Sequence, residues 1–145
     1  MPDQEDKRMA VVEQLLRSEA DETISFGNHA LAHKAKLEDF VHSGDIYKVK
    51  TYATMTKLEK NGMFLYESVP GTSVNHFCET EKGVEFTVEG NSDAQITLGM
   101  SDDTEYEVFV AGSSVGKMKT GLGGKLSISV ELEAAGEVLV KVVEA

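Results

Sequence analysis

The chain contains no tryptophan, one cysteine, two prolines and two arginines in 145 residues. Each shortage excludes something. A single thiol, Cys78, cannot close an intrachain disulfide, and its place in an apolar alternating stretch reads as a small buried side chain. Two prolines, 41% hydrophobic residues and 27% charged residues describe a chain that folds, far from the composition of disorder. Basic residues are also scarce. Residues 1–70 carry nine Lys and Arg against twelve Asp and Glu, a balance of −3, and residues 71–145 carry five against thirteen, a balance of −8. The total of −11 repels phosphate backbones and anionic headgroups, so neither nucleic acid nor a membrane is expected as a partner. The first eight residues, Met-Pro-Asp-Gln-Glu-Asp-Lys-Arg, are polar and have no apolar run behind the basic pair. This points to a cytoplasmic address.

What is present is alternation. In Lys125 to Leu132, Leu126, Ile128, Val130 and Leu132 share one face, and Lys125, Ser127, Ser129 and Glu131 share the other. A period of two means a strand with one buried and one wet face. The pattern recurs in Gln95–Met100 and Thr104–Ala111, where Tyr106, Val108 and Val110 align and Phe109 joins the opposite face. It returns in Val115–Thr120, Val138–Val143, Ser73–Glu79 and Val84–Glu89. Between these runs lie Ser101-Asp102-Asp103, Gly112-Ser113-Ser114, Gly121-Leu122-Gly123-Gly124 and Ala134-Ala135-Gly136, all suited to turns. Seven short strands at this spacing predict an antiparallel sandwich, immunoglobulin-like or jelly-roll-like, over residues 71–145.

Upstream the pattern is one of hairpins. Ile46–Thr51 alternates with Tyr47 and Val49 on one face, and Lys48 and Lys50 on the other. Met55–Lys60 and Met63–Ser68 flank Asn61-Gly62, the dipeptide best suited to a two-residue type I′ turn. Met9–Ser18 fits either a short helix or the first strand of a hairpin that turns at Ala20–Thr23 and returns through Ile24–Gly27. A helix of that length is marginal without packing, which favours the hairpin. Residues 28–36 are the best remaining place for a helical turn, with His29 and His33 four apart on one face. Val69-Pro70-Gly71-Thr72 breaks the alternation and divides the chain into an N-terminal hairpin unit, 1–70, and the C-terminal sandwich, 71–145, unless the two make one continuous domain. The expected fold class is therefore all-β, mainly antiparallel, with at most a short helix near 28–36.

Three segments, Gly44-Asp45-Ile46-Tyr47-Lys48-Val49-Lys50-Thr51, Lys57 to Thr72, and Met118 to Leu126, resemble a family of small proteins from anaerobic gut bacteria that carry the label "endosialidase". The resemblance runs from about Met9 to the end of the chain. It departs from the family at Gly121, where Asn is expected, and at Asp21-Glu22, where Asp-Gly is expected. It implies a carbohydrate-binding or sialidase-related role, and it attaches a catalytic function to no position.

The residues themselves point away from bond-making. A sialidase grips a sugar carboxylate with arginines, and this chain offers Arg8 and Arg17, both near the N-terminus. A propeller of several four-stranded blades does not fit in this length. His29 and His33 lack the partner motif of a metal site. His76 and Cys78 share a strand face, the core side, without an orienting group. Asp102, Asp103 and Glu105 lie at a solvated turn, where hard oxygens would hold calcium weakly. Gly121-x-Gly123-Gly124 joins two strands instead of opening a helix. Tyr47, Tyr52, Tyr66 and Tyr106 are too scattered to form an evident sugar platform. No catalytic, cofactor-binding or metal-binding residue is assigned. The expected function is association, either self-assembly into a homo-oligomer or docking to a protein partner through a sheet face or edge, with carbohydrate binding as the alternative.

Overall fold

The computed structural model describes residues 11–145 and, over those residues, contains thirteen strands and no helix. β1 (Leu16–Ser18) and β2 (Ile24–Phe26) form a short hairpin. β3 (Ala35–His42), β4 (Asp45–Thr51), β5 (Thr56–Lys60) and β6 (Met63–Val69) follow as a meander, and β7 (Ser73–Thr80) and β8 (Gly83–Glu89) as another hairpin. β9 (Ala94–Gly99), β10 (Glu105–Val110), β11 (Ser113–Lys119), β12 (Lys125–Val130) and β13 (Val138–Glu144) complete the chain. They make two antiparallel sheets, one ordered β1-β2-β7-β8-β13-β10-β11 and the other β12-β9-β6-β5-β4-β3. The architecture is a β-sandwich, as the alternation predicts; neither sheet closes on itself.

The alternation maps directly onto burial. Leu126, Ile128, Val130 and Leu132 are buried, and the residues between them are exposed. Asn61 and Gly62 both have positive φ, 53° and 78°, as a type I′ turn requires, and Ser43-Gly44 and Ala111-Gly112 repeat that pair of angles. The two sheets are joined by an aromatic cluster. Tyr66 of the six-stranded sheet meets Phe26 and Phe86 of the other edge to face, with ring centroids at 5.1 and 5.7 Å, and Phe77 stacks on Phe86 at 5.4 Å. Such pairs add to the area they bury.

Residues 69–72 are where the chain leaves the six-stranded sheet, at β6, for the seven-stranded sheet, at β7. Each sheet takes strands from both sides of this crossing: β1 and β2 join the sheet of β7, while β9 and β12 join that of β6. Buried hydroxyls hold the crossing in place. Thr72 Oγ1 is hydrogen-bonded to Tyr66 Oη and to Ser68 Oγ, both at 2.7 Å, and Thr56 Oγ1 donates to the Thr72 carbonyl at 2.7 Å. Thr56 Oγ1 also meets Thr51 Oγ1 at 2.8 Å, and Thr51 Oγ1 accepts from the Asn28 amide at 2.9 Å. Among the described residues, no buried side-chain nitrogen or oxygen lacks a hydrogen-bond partner, those of this seam included.

Three local expectations are corrected. Residues 28–36 hold no helix, only a single turn in which the Leu31 amide donates to the Asn28 carbonyl at 3.4 Å. Asn28 Oδ1 accepts from the Ala30 amide at 3.0 Å, the side-chain-to-backbone bond that competes with a helix, and bends lead into β3. The hairpin favoured at the N-terminus is present, but its first strand begins only at Leu16. Leu15 has φ 73°, and Val12 is buried ahead of it. Met9 and Ala10 lie outside the described residues. In β7 the pairing register shifts between Asn75 and Cys78, and His76 sits at φ 55°. This bulge changes the phase, so Val74 and Phe77, three apart, both point inward.

Candidate functional site

The bulge in β7 disposes of the pair read from the sequence at His76 and Cys78. His76 is exposed and Cys78 half-buried, with the core position between them taken by Phe77. The His76 imidazole instead meets Asp21 and Thr23, its Nδ1 lying 3.1 Å from Asp21 Oδ2 and 3.1 Å from Thr23 Oγ1. Cys78 lines a small cleft of about 180 Å³ with His42, Tyr47, Lys60 and Glu79. Both ring nitrogens of His42 are occupied, by Ser18 Oγ and by the Glu22 carbonyl, each at 2.8 Å.

The other sequence candidates are also dispersed. His29 is buried, while His33 is exposed on the bend beyond it. Asp102 and Asp103 form the solvated turn before β10, and Asp103 pairs with Lys119 at 3.2 Å. Arg17 is bound to Glu19 and Asn75; Arg8 lies outside the described residues. Three of the four tyrosines, Tyr47, Tyr66 and Tyr106, belong to the core, so they offer no platform to a sugar. Among the described residues, no group of three or more His, Cys, Asp or Glu side chains is placed to hold a metal ion.

Two larger clefts are lined by the described residues. One, of about 630 Å³, is lined by His29, Asn28, Glu13, Glu89 and Asn91, with Leu132 among its apolar members. Burial holds the His29 imidazole below its ordinary range, and its Nδ1 is hydrogen-bonded to Ser73 Oγ at 2.7 Å. Burial, together with the nearby Glu137, raises Glu89. The ring nitrogen bonded to Ser73 is engaged within the protein, so this cleft presents a partly occupied imidazole beside acids.

The second cleft, of about 870 Å³, lies at one flank of the sandwich, between Val110, Val115, Val138 and Leu139 on one side and Ser129 and Glu131 on the other. It brings together the last strands of the two sheets, β11 and β12. Val115 is 53% exposed and Leu139 41%. Among the described residues, the four strands that end the two sheets are β1, β11, β12 and β3. An end strand offers unpaired N–H and C=O groups to any approaching chain, and folded proteins blunt such edges with brevity, charge or bulges. β1 has three residues. β3 carries Lys36, Glu38 and Asp39, with a register shift between Leu37 and Phe40. β11 carries Lys117 and Lys119, and Val115 is an extra residue in its pairing with β10, beside Gly116 at φ 114°. β12 is neither short nor bulged, and its one charge, Lys125, stands at its first residue. Its register with β9 runs unbroken from Lys125 opposite Gly99 to Val130 opposite Ala94, and no charge falls between Leu126 and Val130.

The sequence shows β12 as the clearest strand and cannot show that it is an edge. That depends on β9 lying between it and β6, a long-range fact. The chain matches no family model, no curated protein and no solved structure.

Proposed function

We propose that this chain is a non-catalytic association module, working by self-assembly or by docking to a protein partner through an open sheet edge. The observation that carries the reading is β12, a six-residue edge of unbroken register with no charge between Leu126 and Val130, beside the cleft of Val110, Val115 and Leu139, where the other three sheet ends of the described residues are short, charged or bulged. The histidines that line clefts, His29 and His42, are tied into hydrogen bonds that hold loops and strands, which supports a structural use for them. Among the described residues, no helix is long and apolar enough to cross a membrane. Light scattering on the full chain, coupled to size exclusion over a wide concentration range, tests self-assembly. A mass that rises above 15.8 kDa with concentration is expected, and a strict monomer throughout contradicts that branch.

A further inference from the structure

We infer that the open edge of β12 pairs with β12 of a second copy of this chain, antiparallel, about a twofold axis through Ile128. This rests on the association reading and names the surface, the occupant and the register. Centred on Ile128, the pairing sets Leu126 opposite Val130, Ser127 opposite Ser129 and Lys125 opposite Glu131. All these residues keep to their own face, because antiparallel partners whose numbers differ by an even step lie on the same side of the sheet.

The match is complete over the alternating stretch. On the inner face, Leu126, Ile128 and Val130, already buried in each copy, continue into the same apolar row of the other. On the outer face, two serine pairs are flanked by two ion pairs, one at each end. Lys125 shares that face; within one copy its Nζ leans inward across Gly99 of β9, 4.7 Å from the ring centroid of Phe64 in β6, and the pairing requires it to swing outward to Glu131 of the other copy. Sliding the register by one residue sends the apolar set to the solvent side. Sliding it by two, so that Lys125 faces Ser129, removes both ion pairs. A twofold contact is self-complementary by construction, and this strand reads as its own complement in charge, size and polarity. The result is one continuous sheet of twelve strands, with the apolar cleft of Val110, Val115 and Leu139 turned toward its copy on the same flank.

The test is a charge exchange at two exposed positions, read by analytical ultracentrifugation on the full chain, with circular dichroism confirming the fold. K125E alone places acid opposite acid, and E131K alone places ammonium opposite ammonium. Each is expected to weaken self-association roughly tenfold or more. Mixing the two variants restores opposite charges at both ends, so the mixture forms a heterodimer of near wild-type affinity. The double variant K125E/E131K does the same as a homodimer. If the wild type associates but the single variants leave its affinity unchanged, or neither the mixture nor the double variant recovers it, the β12 pairing is overturned while association through another surface stands. A wild type that stays monomeric at every concentration overturns both the pairing and self-assembly.

Discussion

β11 and β12 lie at the same flank, one at the end of each sheet, and differ in what they present to an approaching strand. β11 is exposed along nearly its whole length and is interrupted by an extra residue at Val115, with two lysines beyond it. β12 buries every second side chain, keeps an unbroken register and shows only serines between its ends. An edge can be protected by making it hard to pair with, and β11 is built so. β12 combines a strong claim on the core with an unguarded backbone, the combination expected of a strand meant to be paired. How exposed an edge is says little about its availability; regularity and charge decide that.

The comparison can be broken at the core first. Ile128→Ala removes a side chain that is 3% exposed and is expected to cost about 2–5 kcal/mol of folding stability, whereas Val115→Ala should change it by no more than about 0.5 kcal/mol. Urea melts of the two variants measure the gap, and equal costs would mean that the two strands do not differ in their hold on the fold. Next in size is a change confined to the edge. Ser127→Lys together with Ser129→Lys places ammonium groups opposite one another across the inferred pair and should abolish association. Each hydroxyl gives up one exposed hydrogen bond, Ser127 to Thr97 and Ser129 to Gln95, so melting of the dilute protein should move by about 0.5 kcal/mol or less. Sedimentation beside a thermal melt separates the two readouts.

The converse change sharpens the contrast. Lys117→Ser with Lys119→Ser strips β11 of its charges while leaving its bulge, and it sacrifices only the exposed pair to Asp103. A modest rise in species larger than a dimer is expected at high concentration, visible by light scattering. No rise would assign the protection of β11 to the bulge alone.

The smallest expected effect lies away from both edges. His29 is buried, and its folded-state pKa is lowered from 6.5 by that burial. The unfolded chain therefore takes up the proton first as pH falls below about 6.5, and stability declines until the folded-state pKa is passed. His29→Gln should flatten that slope in denaturant melts taken across the histidine range, without altering the position of either edge strand.

Much of the fold is legible in the residues because local and global demands agree. Lys125 to Leu132, Ile46 to Thr51 and the Asn61-Gly62 turn have the period, the faces and the backbone angles that their sequences dictate. The failures occur where a partner elsewhere decides. Nothing near His76 announces the bulge that puts Phe77 inward; the shift is set by pairing with β8, and Ser25 Oγ accepts the His76 amide across the strands at 3.1 Å. Helical spacing at His29 and His33 is overridden by Asn28 and Ser73, which draw the segment into the core. Tyr47 and Tyr106 share faces with Val49 and with Val108 and Val110 in the sequence, and both are buried along with Tyr66. The candidate site was the least legible part. β12 is conspicuous as a strand, yet only the order β12-β9-β6 makes it an end.

Amide hydrogen exchange over residues 113–131, measured on the wild-type chain at a dilute and a concentrated condition, examines the pairing of β12 at the backbone itself. Exchange across Lys125–Glu131 should slow markedly on concentration, while Ser113–Lys119 exchanges at the same rate in both. Rates in β12 that ignore concentration, or protection that arises in β11 instead, would contradict it.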